Sequence, residues 1–375
     1  MTINNISIPN ELLPTDGRFG SGPSLVRKSD LAALADLSEA YMGTSHRQSP
    51  VKNMVGRLRD GLSELFGLPD DWEIILGNGG STLFWDAATF SLISEKSHHL
   101  VFGEFSSKFA TASRAAPHIG EPVVAEFEPG TGPLIEESGA DTYAFTHNET
   151  STGVSMDLHR PANTSADEAL VLVDATSAAG GIVWDPDNVD CYYFAPQKCF
   201  ASDGGLWVAA CSPAAVQRID DITSRNRWTP AGLDLKIALD NSRKNQTYNT
   251  PALATIFLTV RQVEWMNNNG GLSWAANRST MSSDHIYNWA ENHELAEPFV
   301  TDSSVRSPVV STIDLSARVD ADEVIGICRN NGILDIGGYR KLGRNQLRIA
   351  TFPAIEFSDI QALTASLDYV LETLL

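Results

Sequence analysis

Two positions in the chain pair residue types that can do chemistry together. Val171-Leu172-Val173-Asp174 reads as a buried strand ending in a carboxylate, and one strand later Ala195-Pro196-Gln197-Lys198 places an amine at the equivalent point. In an open α/β sheet, ligands collect at the carboxyl ends of parallel strands, so one ligand can touch both groups. Pyridoxal 5'-phosphate needs a lysine to form a Schiff base and an acid to hold the proton on its pyridine nitrogen. Lys198 is the expected covalent anchor and Asp174 the expected nitrogen partner. Taken singly, a strand-end aspartate caps a turn and a loop lysine is solvated. Lys198, however, is bounded by Tyr192, Tyr193, Phe194 and Phe200 and by Ala201-Ser202-Asp203-Gly204-Gly205. Partial desolvation and a lowered pKa are predicted there.

A second segment, Gly77-Asn78-Gly79-Gly80-Ser81-Thr82, follows a strand ending at Leu76 and precedes an expected helix from Leu83 to Ile93. Free N–H groups at a helix start bind phosphate, and glycines let the backbone approach it. A dinucleotide-binding GxGxxG pattern would need glycine at position 82, where Thr82 stands, which counts against a nicotinamide-dependent oxidoreductase. Near the C-terminus, Arg340, Lys341, Arg344 and Arg348 lie within nine residues. Guanidinium groups suit bidentate binding of carboxylate or phosphate. On a chain of net charge -20 these cations are a local exception, and the overall charge opposes nucleic acid and anionic membrane as partners. The four cysteines, Cys191, Cys199, Cys211 and Cys328, have no CxxC spacing, so they are expected in the core and no metal site is expected.

The elements that must position these groups follow from hydrophobic patterning. Apolar runs at Glu73 to Leu76, His99 to Phe102, Val123 to Phe127, Thr142 to Thr146, Ala169 to Val173, Cys191 to Phe194 and Leu206 to Ala210 suit strands covered on both faces. Between them lie helical stretches, clearest from Asn53 to Phe66, where Met54, Val55, Leu58, Leu62, Leu65 and Phe66 form a stripe stopped by Gly67 and Pro69. The pattern is α/β with a mostly parallel central sheet. At 375 residues the chain exceeds the usual single-domain size. We expect a large α/β unit at 1–255, with an irregular N-terminal segment packing on both units or on a partner subunit, and a smaller C-terminal α+β unit at 256–375. The smaller unit should hold strands Val309 to Leu315 and Gln346 to Ala350 and a final helix capped by Ser358. No long apolar run and no signal-peptide pattern in Met1 to Asn10 are seen, and a soluble cytoplasmic protein is expected.

The lysine motif Ala195-Pro196-Gln197-Lys198 with Gly204-Gly205 resembles that of the phosphoserine aminotransferase family, fold-type I enzymes of the class V aminotransferase group. So do Phe19-Gly20-Ser21-Gly22-Pro23, Ser45-His46-Arg47, Gly79-Gly80-Ser81, His147-Asn148-Glu149-Thr150, Asp174-Ala175-Thr176-Ser177 and Tyr248-Asn249-Thr250-Pro251. They occur in family order over nearly the whole chain, closest to the actinobacterial branch. The resemblance implies cofactor contacts at Gly80, Ser81, Gln197 and Thr150, with Thr152 as an alternative to Thr150. It implies a ring at Phe105 stacked on the pyridine face. Asn249 and Thr250 would be supplied by the neighbouring subunit of a homodimer. It further implies substrate contacts at His46 and Arg47, at Arg348 for the α-carboxylate and at Arg340 for the substrate phosphate.

The reaction implied is transfer of the amino group of L-glutamate to 3-phosphohydroxypyruvate, giving O-phospho-L-serine and 2-oxoglutarate in serine biosynthesis, with a related step in pyridoxal phosphate biosynthesis. Ser81 and Tyr339 stand where some members have Arg and His at the substrate-phosphate site, which leaves Lys341 and Arg344 as replacement cations. Two rival readings keep the fold. One is an alanine–glyoxylate type aminotransferase or a cysteine desulfurase, although Cys328 reads as core rather than loop. The other is a non-catalytic ligand-binding protein, against which the Asp174 and Lys198 pair argues.

Overall fold

The computed structural model describes residues 6–375, so part of the stretch Met1 to Asn10 lies outside the described residues. A seven-stranded sheet is built from β1 (Glu73–Asn78), β2 (Ser97–Val101), β3 (Val123–Glu126), β4 (Thr142–Thr146), β7 (Leu170–Asp174), β8 (Cys191–Phe194) and β9 (Leu206–Cys211). A two-residue ladder of β5 (Asn148–Glu149) and β6 (Val154–Ser155) hangs from the end of β4. The strand order is β1-β9-β8-β7-β4-β2-β3, and only β9 runs antiparallel to its neighbours. The expected strands are all present, with ends moved by two residues or fewer.

Alternation along each strand sorts side chains into two cores, as a period of two requires. Ile74, Leu76, Val171, Val173, Tyr192, Phe194 and Val208 face one cluster, while Ile75, Leu170, Leu172, Cys191, Tyr193, Trp207 and Ala209 face another. Following α1 (Lys28–Asp36) and α2 (Ser38–Tyr41), helices α3 (Ser49–Phe66) and α8 (Leu253–Asn268) cover the first face. Helices α4 (Ser81–Ser91), α5 (Glu104–Ala115), α6 (Pro213–Ser224) and α7 (Leu235–Ser242) cover the second. Helix α3 starts four residues before the expected Asn53 because Pro50 is tolerated in a first turn, and it ends at Gly67, whose φ of 61° only glycine adopts without strain.

Beyond α9 (Gly271–Asn292), strands β10 (Ala296–Pro298), β11 (Val310–Leu315) and β12 (Gln346–Ala350) form an antiparallel sheet, joined by α10 (Ala321–Asn330) and α11 (Phe357–Leu374). Its core combines Ile313, Leu347 and Ile349 with Val324, Ile327 and Cys328 of α10 and Leu363, Leu367 and Leu371 of α11. Strand β10 escaped the sequence reading because it is three residues long and ends in proline. Residue 255 falls inside α8, whose buried face joins the first core, and the two cores meet along α9, where Leu272 and Ala275 face one and Ile286 and Tyr287 the other. Ser358 is not the cap of α11: the helix begins at Phe357 behind Glu356, and the neighbouring Asp359 carboxylate accepts from the Thr15 N–H at 2.8 Å. The N-terminal segment touches both sheets. The Phe19 carbonyl accepts from Ala350 N–H in β12, and Ser24 N–H donates to the Gln197 carbonyl beside Lys198.

Candidate active site

The parallel strands β4, β7 and β8 end side by side, with Thr146 opposite Asp174 and Asp174 opposite Tyr193. Past those ends lies a cavity of about 310 Å³, lined among others by Gly80, Ser81, Phe105, Thr150, Asp174, Gln197, Lys198 and Arg348. Eight of the residues singled out from sequence therefore converge on one space. Thr150 lines it and Thr152 does not, which favours Thr150 of the two alternatives.

Lys198 is 7% exposed, and its Nζ donates to Thr150 Oγ1 at 2.9 Å. Burial pulls its pKa down to about 8, Asp174 opposes that shift, and Arg348 adds to it. Gly22 packs against the lysine stem: a Cβ there would lie 2.7 Å from Lys198 Cε, and φ is 138°. The Phe105 ring stands on another side, its centroid 5.3 Å from the amine.

Asp174 is buried, and three donors hold its carboxylate. Thr176 N–H and Oγ1 reach Oδ1 at 2.9 and 2.6 Å, and Trp85 Nε1 reaches Oδ2 at 2.9 Å. Burial raises its pKa, while Thr176, Trp85 and Lys198 oppose the rise. Because the carboxylate accepts the Thr176 proton, Ser81 Oγ, 2.6 Å from Thr176 Oγ1, can only donate to it. Ser81 also opens α4, and the first N–H groups of a helix lack intrahelical partners. Gly79, just before it, has φ 115°, and a Cβ would lie 2.6 Å from Leu83 Cδ2.

Arg348, on β12, reaches over the cavity from the smaller sheet. Its Nη1 donates to the Thr150 carbonyl at 3.3 Å, and its guanidinium lies 5.4 Å from the Tyr339 ring centroid. Burial lowers its pKa, with Tyr339 and Glu149 opposing. Tyr339 also tilts toward Phe105 at 6.1 Å between centroids, so the two rings flank the mouth.

The remaining expected residues do not line this cavity. His46 Nδ1 lies 3.2 Å from Thr250 Oγ1, Arg47 donates to Gln246 Oε1 at 2.9 Å, and Asn78 ties the Thr250 carbonyl to the end of β1 at 2.8 Å. Arg47, Asn249 and Thr250 are exposed, and so is Arg340. Neither replacement cation is free, since Arg344 pairs with Asp314 and Lys341 with Glu104.

Trp85 completes the site without being named from sequence, and Thr176, Ser177 and Glu149 join it although they stand in the sequence only as members of the quoted motifs, without a role of their own. Trp85 stands four residues after Ser81, on the same helix face, a spacing that could have flagged it. The fully buried Glu149 accepts from Phe105 N–H at 3.1 Å, Ser106 N–H at 2.9 Å and Ser151 Oγ at 2.7 Å, capping α5 and fixing the backbone of Phe105. The long sequence separation hides that role.

The cavity suits pyridoxal phosphate on its own evidence. It offers a lysine amine near neutrality, an opposed carboxylate and a helix start for a phosphate. Ser21 Oγ, Asn148 Oδ1, Gln197 Oε1 and Arg348 Nε line it without a protein partner, which a polar ligand would supply.

Comparison with known proteins agrees. The sequence profile of the aminotransferase class-V family matches residues 19–340. The chain is 56% identical over 370 residues to the phosphoserine aminotransferase of Nocardioides sp., covering 98% of this chain and 99% of that protein. A crystal structure of a phosphoserine aminotransferase from Cytophaga hutchinsonii superposes with a TM-score of 0.86 at 23% identity, over 95% of this chain and 99% of that one. An alanine–glyoxylate aminotransferase from Nostoc sp. superposes at 0.77 and 18%, over 98% and 97%. The extent of the profile match and the level of identity decide the question: the chain belongs to the class-V aminotransferase family and uses pyridoxal 5'-phosphate.

Proposed function

We propose that the protein is a phosphoserine aminotransferase, moving the amino group of L-glutamate to 3-phosphohydroxypyruvate and releasing O-phospho-L-serine and 2-oxoglutarate. The observation that carries this is the convergence of Lys198, Asp174 and Arg348 on one cavity. Identity of 56% to a phosphoserine aminotransferase supports the choice of substrate. When bound, pyridoxal phosphate supplies an electron-withdrawing ring that acidifies the α-C–H of an attached amino acid. Lys198 would hold it covalently. The Lys198 amine, with a pKa of about 8, would be suited to take and return a proton at the substrate α-carbon. Asp174 would hold a proton on the ring nitrogen, and Phe105 would offer its ring to one face of the cofactor. The start of α4 and Gln197 would receive the cofactor phosphate, and Arg348 would bind the α-carboxylate that every substrate shares.

In this reading the working unit is a cytoplasmic homodimer in which Asn249 and Thr250 complete the neighbour's phosphate site and His46 and Arg47 its substrate site. All four belong to a cluster outside this chain's own cavity, with the apolar Met42, Leu83 and Tyr248 exposed in the same segments or at the α4 start. The larger α/β unit would carry the cofactor, and the smaller C-terminal unit beyond α9 would bring Arg348 and, by way of Arg340, a further cation to the substrate.

Substrate preference tests the proposal. The kcat/KM for 3-phosphohydroxypyruvate should exceed that for hydroxypyruvate and glyoxylate by at least about a hundredfold, the factor that charge-assisted phosphate binding provides. Arg340→Ala should erase most of that gap while sparing the glutamate half-reaction. Equal efficiency on phosphorylated and unphosphorylated acids, or a preference for glyoxylate, would point to the alanine–glyoxylate type of activity.

A further inference from the structure

The lysine amine stands at the head of a buried chain of hydroxyls. Lys198 Nζ donates to Thr150 Oγ1 at 2.9 Å, Thr150 Oγ1 to Ser177 Oγ at 2.9 Å, and Ser177 Oγ to the Asn148 carbonyl at 3.0 Å. Asn148 Nδ2 also donates to Ser177 Oγ at 2.9 Å. Thr150, Ser177 and Asn148 are each 4% exposed or less, so these groups are shielded from bulk solvent.

The direction of the protons in the chain follows from its far end, a backbone carbonyl. A carbonyl oxygen only accepts, so Ser177 must give it its hydroxyl proton. Ser177 then has two lone pairs, one taken by Asn148 Nδ2 and the other left for Thr150. Thr150 must therefore point its proton away from the lysine and accept from it. A neutral amine carries two N–H bonds and one lone pair. With one N–H directed to Thr150, the lone pair stays open toward the cavity. Were the Thr150 hydroxyl turned round, it would donate into that lone pair and block it. A second link, from Cys199 Sγ to the Ser177 carbonyl at 3.3 Å, holds the Lys198 segment in register with this turn.

We propose that Ser177 is a positioning residue for Lys198: by taking the Thr150 proton it makes Thr150 an obligate acceptor and keeps the amine lone pair available for bond formation. The proposal deepens the reading in which Lys198 anchors the cofactor. The charged and titratable groups around the amine are Asp174, Arg348, Glu149 and the Cys199 thiol, and none of them is altered by the substitutions below.

The test uses the protein freed of cofactor and trace labelling with acetic anhydride from pH 6 to 10, with acetylation of Lys198 read by peptide mass spectrometry. Ser177→Ala should lower the limiting high-pH labelling rate of Lys198 roughly fivefold, because the freed Thr150 proton caps the lone pair. Thr150→Val should not lower that rate, and adding it to Ser177→Ala should restore it, since no hydroxyl then remains to donate. Thr150→Ser, which keeps the hydroxyl, should label as wild type does. Loss of a second hydroxyl would not repair a packing defect at position 177, so restoration distinguishes positioning from structure. A Ser177→Ala protein that labels as wild type, or a double variant slower than Ser177→Ala alone, would overturn the proposal. Because no cofactor is present, this outcome is independent of whether Lys198 proves to be the anchor.

Discussion

At Lys198, burial makes an ordinary surface amine into a base usable near neutrality. At pH 7 an amine of pKa about 8 is unprotonated roughly 300 times more often than one at the model-peptide value. The rate of cofactor capture by the protein freed of cofactor should climb with pH and level off above about 8. A climb continuing past pH 10 would show that Lys198 keeps the pKa of a solvated lysine. The stability contribution has a definite sign. The unfolded state binds more protons between about 8 and the ordinary value near 10.5, so the cost of burying Lys198 is full below pH 8 and fades as pH rises through that window. Lys198 and Asp174 were legible in sequence because each lies just past a strand end, where chain order alone puts it at the sheet's ligand-binding edge. Trp85 and Ser177 were not. Their roles depend on which hydroxyl or carboxylate meets them across the fold, and a linear reading has no access to proton direction.

At the scale of elements, the site depends on two helix starts, α4 after β1 and α5 after β2, which come from strands well apart in the sheet. Helix α4 was legible from Gly79, Gly80 and its apolar run, although it begins at Ser81 rather than Leu83, since the Gly80 carbonyl already accepts from Leu83 and Phe84. The start of α5 was not legible, because its cap is Glu149, brought from 43 or 44 residues away. Ser358 is the opposite case: a residue of capping type near a helix start that lies inside the first turn, behind Glu356 and Phe357. Glu149→Ala would leave the Phe105 and Ser106 N–H groups without acceptors in a dry environment. A loss of at least ~2 kcal/mol in urea-unfolding free energy is expected, with weakened cofactor affinity as Phe105 drifts. A loss below ~0.5 kcal/mol would mean that another group caps α5.

For the whole molecule, a net charge of -20 contrasts with a cavity edged by Arg348 and, in the proposed dimer, by Arg47 of a second copy. Mixing Lys198→Ala chains with Thr250→Ala chains should regenerate some sites with both groups intact, so activity should reappear in the mixture after subunit exchange. Sedimentation of an active, cofactor-loaded monomer would contradict the dimer outright. No helix of the described residues is long and apolar enough to cross a membrane. The two α-β layers were legible as far as their periodicity reached, whereas the meeting of two cores along α9 was not, because a helix that changes partners midway keeps one continuous apolar stripe. The claim on which the rest depends is that this single cavity is the reaction centre. Reducing the cofactor-loaded protein with borohydride and mapping the label across all its lysines tests that claim most directly. One labelled peptide, containing Lys198, is expected, and label on any other lysine in place of Lys198 would contradict the assignment.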